Sequence, residues 1–219
     1  MKKQEFTDVR GRQSAIELNE TEANLNRTLI ALRELELKQE KDKEAFEETS
    51  DFRNGTLLFI SEIDTGPCGH LAHGLRRLAR LYPKRPIRIE MNSPGGTINS
   101  GFQMIDDIAV VGKDCPITIA VRGQAASMAA VVLQAAKTRL VGPNAYVMLH
   151  RASFGTEGSA DQIEDSVEEV RMLEKRLYEI VAKRSGKTVD FWKKQLGRRK
   201  DVWYTSEEAV KIGLADAIG

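Results

Sequence analysis

ITIAVRGQAASMAA, residues 117–130, is the stretch on which the fold of this chain turns. Its first five residues, Ile117 to Val121, form an apolar run suited to a buried strand. Its last eight, Gly123 to Ala130, set one hydroxyl, Ser127, among small side chains. Two readings compete there. Small residues let a helix approach a sheet closely, which would make Ser127 incidental packing. Alternatively, the hydroxyl stands on a strand-to-helix turn with bare backbone around it, the arrangement that presents a nucleophile. The octet alone balances the two, and the rest of the chain has to decide.

Outward from this stretch, short apolar strands alternate with helical patterns. TLLFI (56–60), PIRIEM (86–91) and YVML (146–149) read as further buried strands. Between them, helical periodicity runs over 68–81 with Leu71, Leu75 and Leu78, over 99–111, and over 127–137. This rhythm predicts an α/β domain with a mostly parallel sheet. Beyond His150 the pattern changes. Ser159 and Gln162 form a capping box before a long helix whose apolar face is Ile163, Val167, Val170, Leu177 and Val181, closed by Gly186. Its length and charge predict an arm projecting from the sheet and available for self-association. A shorter helix at 189–197, the strand-like VWYT and a last helix at 206–213 complete the chain.

Residues 1–50 differ from the remainder, 51–219. From Ile16 to Glu48 there is no proline or glycine, and Leu18, Leu25 and Leu32 recur every seven residues with Leu29 between. Glu22 and Glu36 interrupt the companion positions, so a lone amphipathic helix and a coiled coil both fit. Asn54-Gly55 marks the turn into the second domain.

The 33 basic and 32 acidic residues nearly cancel, which argues against a surface built for nucleic acid. Two cysteines, Cys68 and Cys115, are too few for a disulfide framework. No apolar stretch reaches membrane-spanning length, and MKKQEF leads into polar sequence. These features predict a cytoplasmic protein with no membrane association. Cys68, His70 and His73 fall on an apolar-periodic helix and do not make a metal site, and no cofactor is expected.

Two more stretches bear on chemistry. MNSPGGTINSG (91–101) ends a strand in a Pro94-Gly95-Gly96 turn whose backbone N–H groups can serve an anion. YVMLH sets His150 directly after a strand; taken alone, such a histidine is usually structural. Together with the octet, the words NSPGG (92–96), GQAASMAA (123–130), PNAYVMLH (143–150) and DVWYTSEEAVKIGLAD (201–216) resemble the Clp protease proteolytic-subunit family, of the ClpP/crotonase fold. Their order and spacing follow it across about residues 55–219.

The resemblance implies a ClpP/crotonase-like repeated β-β-α domain with a projecting arm helix, here preceded by a long N-terminal helix. It implies Ser127 as nucleophile, His150 as base and Asp201 as orienting acid, with an oxyanion hole from the N–H groups of Gly96 and Met128. It further implies polypeptide substrates pairing beside Thr97-Ile98 and Ser153-Phe154, and homo-oligomeric stacked rings, commonly heptameric. Arg198, Arg199 and Lys200, beside Asp201, read as a solvated face or a subunit contact. The family's N-terminal axial loop is replaced by the charged helix, so an AAA+ unfoldase partner is not implied in the usual way. The usual Gln-Pro after the histidine is Arg151-Ala152 here, which implies a different substrate preference. Crotonase-type acyl-CoA chemistry and a catalytically idle ring subunit or scaffold are the alternatives; the intact Ser127, His150 and Asp201 count against both.

Overall fold

A computed structural model describes residues 24–38, 50–197 and 201–219. The chain divides into two units, residues 1–53 and 54–219. In the first, residues 24–38 form a helix, α1, and Ser50–Arg53 a short second one, α2. Leu25, Leu29 and Leu32 are each more than half exposed. The remainder of the helix expected over 16–48, with Leu18 and Glu22, lies outside the described residues, as do Arg198, Arg199 and Lys200.

The second unit is an α/β domain. Strands β1 (Thr56–Ile60), β2 (Ile87–Ser93), β3 (Ile117–Ala126), β4 (Thr138–Val141) and β7 (Ala217–Ile218) pair in that order, all parallel. Parallel neighbours need crossovers, and helices α3 (Thr65–Leu81) and α4 (Ile98–Val111) supply them. The core lies between these helices and the sheet, with Leu75, Leu78, Ile89, Met91, Met104, Ile108, Ile117 and Ile119 all essentially sealed from solvent. The expected burial holds only in part outside the middle of the sheet. β1 buries Leu57 and Phe59 but leaves Leu58 and Ile60 more than half exposed, and β2 alternates buried Ile87, Ile89 and Met91 with partly exposed Arg88 and Glu90.

β3 is twice the usual strand length because it serves two partners. Its first half pairs with β4 and its second half with β5 (Tyr146–Leu149). The switch falls at Gly123, whose φ of 89° suits glycine. A Cβ there would stand 2.9 Å from Asn92 Oδ1, the oxygen that accepts from the Gln124 N–H. β5 then pairs antiparallel with β6 (Val202–Tyr204).

Three expectations are corrected. The helix at 68–81 begins earlier, at Thr65, capped by Asp64. Pro67 fits inside that first turn because N–H groups there lack intrahelical acceptors. The helix expected over 127–137 is only α5 (Met128–Val132) and a 3₁₀ turn, Leu133–Ala135. The Lys137 N–H instead joins the sheet by donating to Ile117 O. The strands β4 and β7 that follow were not expected.

Past His150, α6 (Ala160–Ser185) carries the expected Ser159–Gln162 capping box and a left-handed Gly186 cap. Its first half is largely exposed, and it becomes buried only at Tyr178, Val181 and Ala182. Helices α7 (Val189–Leu196) and α8 (Ser206–Ile212) complete the unit. Among the described residues, no helix is long and apolar enough to cross a membrane.

β4 and β7 are locked by a buried cation. Arg139, 4% exposed, donates from its backbone N–H and Nε to Asp216 Oδ2 and from Nη2 to Oδ1. Its Nη1 donates to Gln134 Oε1 at 2.6 Å and Gly213 O at 2.9 Å. Burial alone would push the Asp216 carboxyl up, but these Arg139 hydrogen bonds and charges outweigh it and hold the pKa below its ordinary value.

Asp216→Asn should therefore destabilise the domain by about 1–3 kcal/mol at pH 7, less than for a fully buried pair because Asp216 is partly exposed. The pair's contribution is complete above the unfolded carboxyl pKa of about 3.9 and is lost as pH falls through the lowered folded value. Denaturant melts of both proteins should thus converge in acid. A gap that persisted there would mean that the charge is not the source.

Candidate active site

Strand register brings the site together. β3 and β5 run parallel with Ala126 beside Met148, and the Ser127 N–H extends the ladder by donating to Met148 O at 2.9 Å. Both strands end there. Ser127 follows one and His150 the other, and their side chains meet with Ser127 Oγ 2.7 Å from His150 Nε2. The antiparallel β5–β6 pairing sets Leu149 against Val202, so Asp201 stands opposite His150. Its Oδ1 is 3.3 Å from His150 Nδ1. The Asp201 side chain is 60% exposed and that of His150 29%.

Ser127 occupies a strained turn. Its φ of 54° and ψ of −122° lie where an L-residue pays roughly 1–3 kcal/mol, and α5 begins at the next residue. The strain is held by close packing from the Pro94-Gly95-Gly96 turn. A Cβ on Gly95 would lie 2.6 Å from Ala126 O and 2.7 Å from Ser127 Cβ. On its other side this turn is stitched to Ile63, whose N–H donates to Gly95 O at 2.7 Å and whose carbonyl accepts from the Thr97 N–H at 2.8 Å. Buried Ser93 accepts from the Gly95 N–H.

Gly96, Ser127, Met128 and His150 line one cavity of about 220 Å³. Val131, Leu149, Leu177, Val181, Trp192 and Leu196 form an apolar wall, with Ser153, Glu174 and Tyr178 adding polar groups. Thr97, Ile98, Ser153 and Phe154 together line an adjoining groove of about 490 Å³ with Gly96, Val170 and Leu173. Every residue singled out for chemistry or substrate contact in the sequence thus borders one of these two spaces, except Asp201, which stands behind His150.

Much of the cavity wall was not anticipated. Leu177 and Val181 belonged to the expected apolar face of α6, but Glu174, Tyr178, Trp192 and Leu196 carried no local signal. Burial raises the pKa of the Tyr178 phenol. Glu174 makes a two-pronged pair with Arg151, from Nε at 2.9 Å and Nη2 at 2.8 Å, which holds the guanidinium charged. On α3, Cys68 is buried while His70 and His73 are exposed, so the three do not converge. Among the described residues, no group of three His, Cys, Asp or Glu could hold a metal.

The arrangement can move a proton from a hydroxyl to an imidazole beside a cavity with an apolar wall, the chemistry of hydrolytic acyl transfer. Comparison with known proteins agrees with that class. A model of the Clp protease family matches residues 39–219, starting upstream of the stretch on which the resemblance was read. The ATP-dependent Clp protease proteolytic subunit of Porphyromonas gingivalis is 33% identical over 165 residues, 74% of this chain and 72% of that protein. A Bacteroides fragilis protein of the same name is 33% identical over 165 residues, 74% and 78% of the two chains. Proteolytic subunit 1 of Salinibacter ruber is 39% identical over 136 residues, 61% of this chain and 57% of that protein. The chain belongs to the Clp protease family.

Gly95→Ala should force the Ser127 turn outward, because the added carbon meets backbone rather than a movable side chain. We expect a fall in Tm of about 4–8 °C, equivalent to about 2 kcal/mol for a chain of this size. A crystal structure should show a longer Ser127–His150 separation. An unchanged Tm and separation would mean that the turn is more yielding than its contacts require.

Proposed function

We propose that this protein is a serine endopeptidase that cleaves unfolded polypeptides or peptides through an acyl-enzyme. The observation that carries the reading is the 2.7 Å Ser127–His150 contact, with Asp201 3.3 Å behind the second ring nitrogen. His150 takes the Ser127 proton as Oγ attacks the scissile carbonyl, and Asp201 holds the imidazole in the tautomer that leaves Nε2 free to accept. The N–H groups of Gly96 and Met128 receive the oxyanion, where loss of one donor typically raises the barrier by about 2.7–4 kcal/mol. His150 then returns the proton to the leaving amine, and water releases the acyl group by the same route.

An extended substrate lies in the groove between Thr97-Ile98 and Ser153-Phe154 and pairs as an added strand. The side chain before the scissile bond enters the cavity, where Val131, Leu149, Leu177 and Val181 offer contact to an apolar group. Assembly into a homo-oligomer of stacked rings, with α6 as the interleaving arm, fits the exposed first half of that helix. The relatives are named as subunits of ATP-dependent proteases, which by analogy extends the proposal to an unfoldase partner.

A fluorophosphonate probe followed by peptide mapping should label Ser127. Ser127→Ala should abolish both labelling and peptide hydrolysis without altering the fold, because it removes one oxygen and adds no bulk. Asp201→Asn should keep the geometry but favour the wrong tautomer, lowering kcat by about four orders of magnitude. Hydrolysis retained in clean Ser127→Ala protein would refute the assignment, and a loss below tenfold in Asp201→Asn would mean another group orients His150.

A further inference from the structure

Residues 151–158 join His150 to the cap of α6 without regular secondary structure, and among the described residues their backbone enters no ladder. Side chains hold the segment at two places, both on α6. Arg151 grips Glu174 through two bonds of 2.9 and 2.8 Å, and Thr156 Oγ1 lies 3.2 Å from Ser166 Oγ. Between these anchors, Ser153 and Phe154 border the groove with backbone donors and acceptors unspent on a sheet.

We infer that Arg151 is a positioning residue that fixes the substrate-pairing edge 152–154 against α6 and thereby favours extended substrates over short ones. The inference rests on the peptidase reading above. Strand pairing demands backbone groups at a fixed spacing near 4.8 Å, so an edge that drifts loses pairing energy with a long chain. A two-pronged guanidinium–carboxylate pair fixes both distance and plane, which a lysine cannot do. The Glu174 side chain is 14% exposed and that of Arg151 43%, so the pair's two-pronged geometry, rather than burial, sets it apart from an ordinary surface pair. His150 itself is held from the other side, by β5 and its neighbours, so release of Arg151 loosens the edge and leaves the reacting pair in place.

The test compares a decapeptide substrate with a small fluorophosphonate in the full chain. Arg151→Gln and Glu174→Gln should each raise KM for the decapeptide by about tenfold, and in Arg151→Gln, whose side chain lies outside the cavity, kcat should change by less than about twofold. Labelling of Ser127 in Arg151→Gln should keep its wild-type rate. The Arg151→Gln/Glu174→Gln double variant should be no worse than either single, because both remove one shared interaction. Arg151→Lys should recover part of the KM. Unchanged KM in the single variants, additive effects in the double, or loss of labelling in step with hydrolysis would each overturn the positioning role while leaving the peptidase reading intact. Failure of the wild-type protein to label at Ser127 would overturn both.

Discussion

Parallel pairing of β5 with the far half of β3, in the offset that sets Ala126 beside Met148, ends two strands at one level and leaves Ser127 and His150 as their next residues. A one-residue slip of either strand would turn a side chain to the opposite face and part the hydroxyl from the imidazole. The remainder of the domain reads as support for that pairing. Gly123 lets β3 change partners, Asn92 holds the N–H exposed by the change, and β6 carries Asp201 to the end of β5.

The strained Ser127 turn depends on a second constraint, the absence of side chains in the Gly95-Gly96 turn. Backbone packs on backbone there, so the strain is borne by short, stiff contacts that leave little room to relax. Ile63 anchors the same turn from β1's side of the sheet, linking the site to the first strand of the domain. Rigid support of this kind fixes where the Ser127 hydroxyl stands relative to His150.

The strands were legible from their short apolar runs, and TLLFI and YVML coincide with β1 and β5, but the expected burial of TLLFI failed on one face, where Leu58 and Ile60 are exposed. The caps at Ser159 and Gly186 were legible because their chemistry is local. β4 was hidden by its own content: TRLV includes an arginine whose burial makes sense only once Asp216 lies beside it, 77 positions later. Ser127 and His150 were each ambiguous alone and became candidates only as part of a set of quoted words. Asp201 had no physical signal of its own and entered through family resemblance. The cavity wall escaped for a related reason, since Glu174, Tyr178, Trp192 and Leu196 acquire their place from how α6 and α7 pack.

The order of the three side chains along the chain bears on how such a protein is made. Residues 127 and 150 belong to neighbouring parallel strands and can meet early, but Asp201 arrives on a three-residue strand near the C-terminus. β6 has little area of its own to hold it, and among the described residues it pairs with β5 alone. During synthesis, which proceeds N-terminus first, the hydroxyl and imidazole emerge many residues before the carboxylate. A nascent chain therefore presents the Ser127 hydroxyl and the His150 imidazole well before the Asp201 carboxylate can join them.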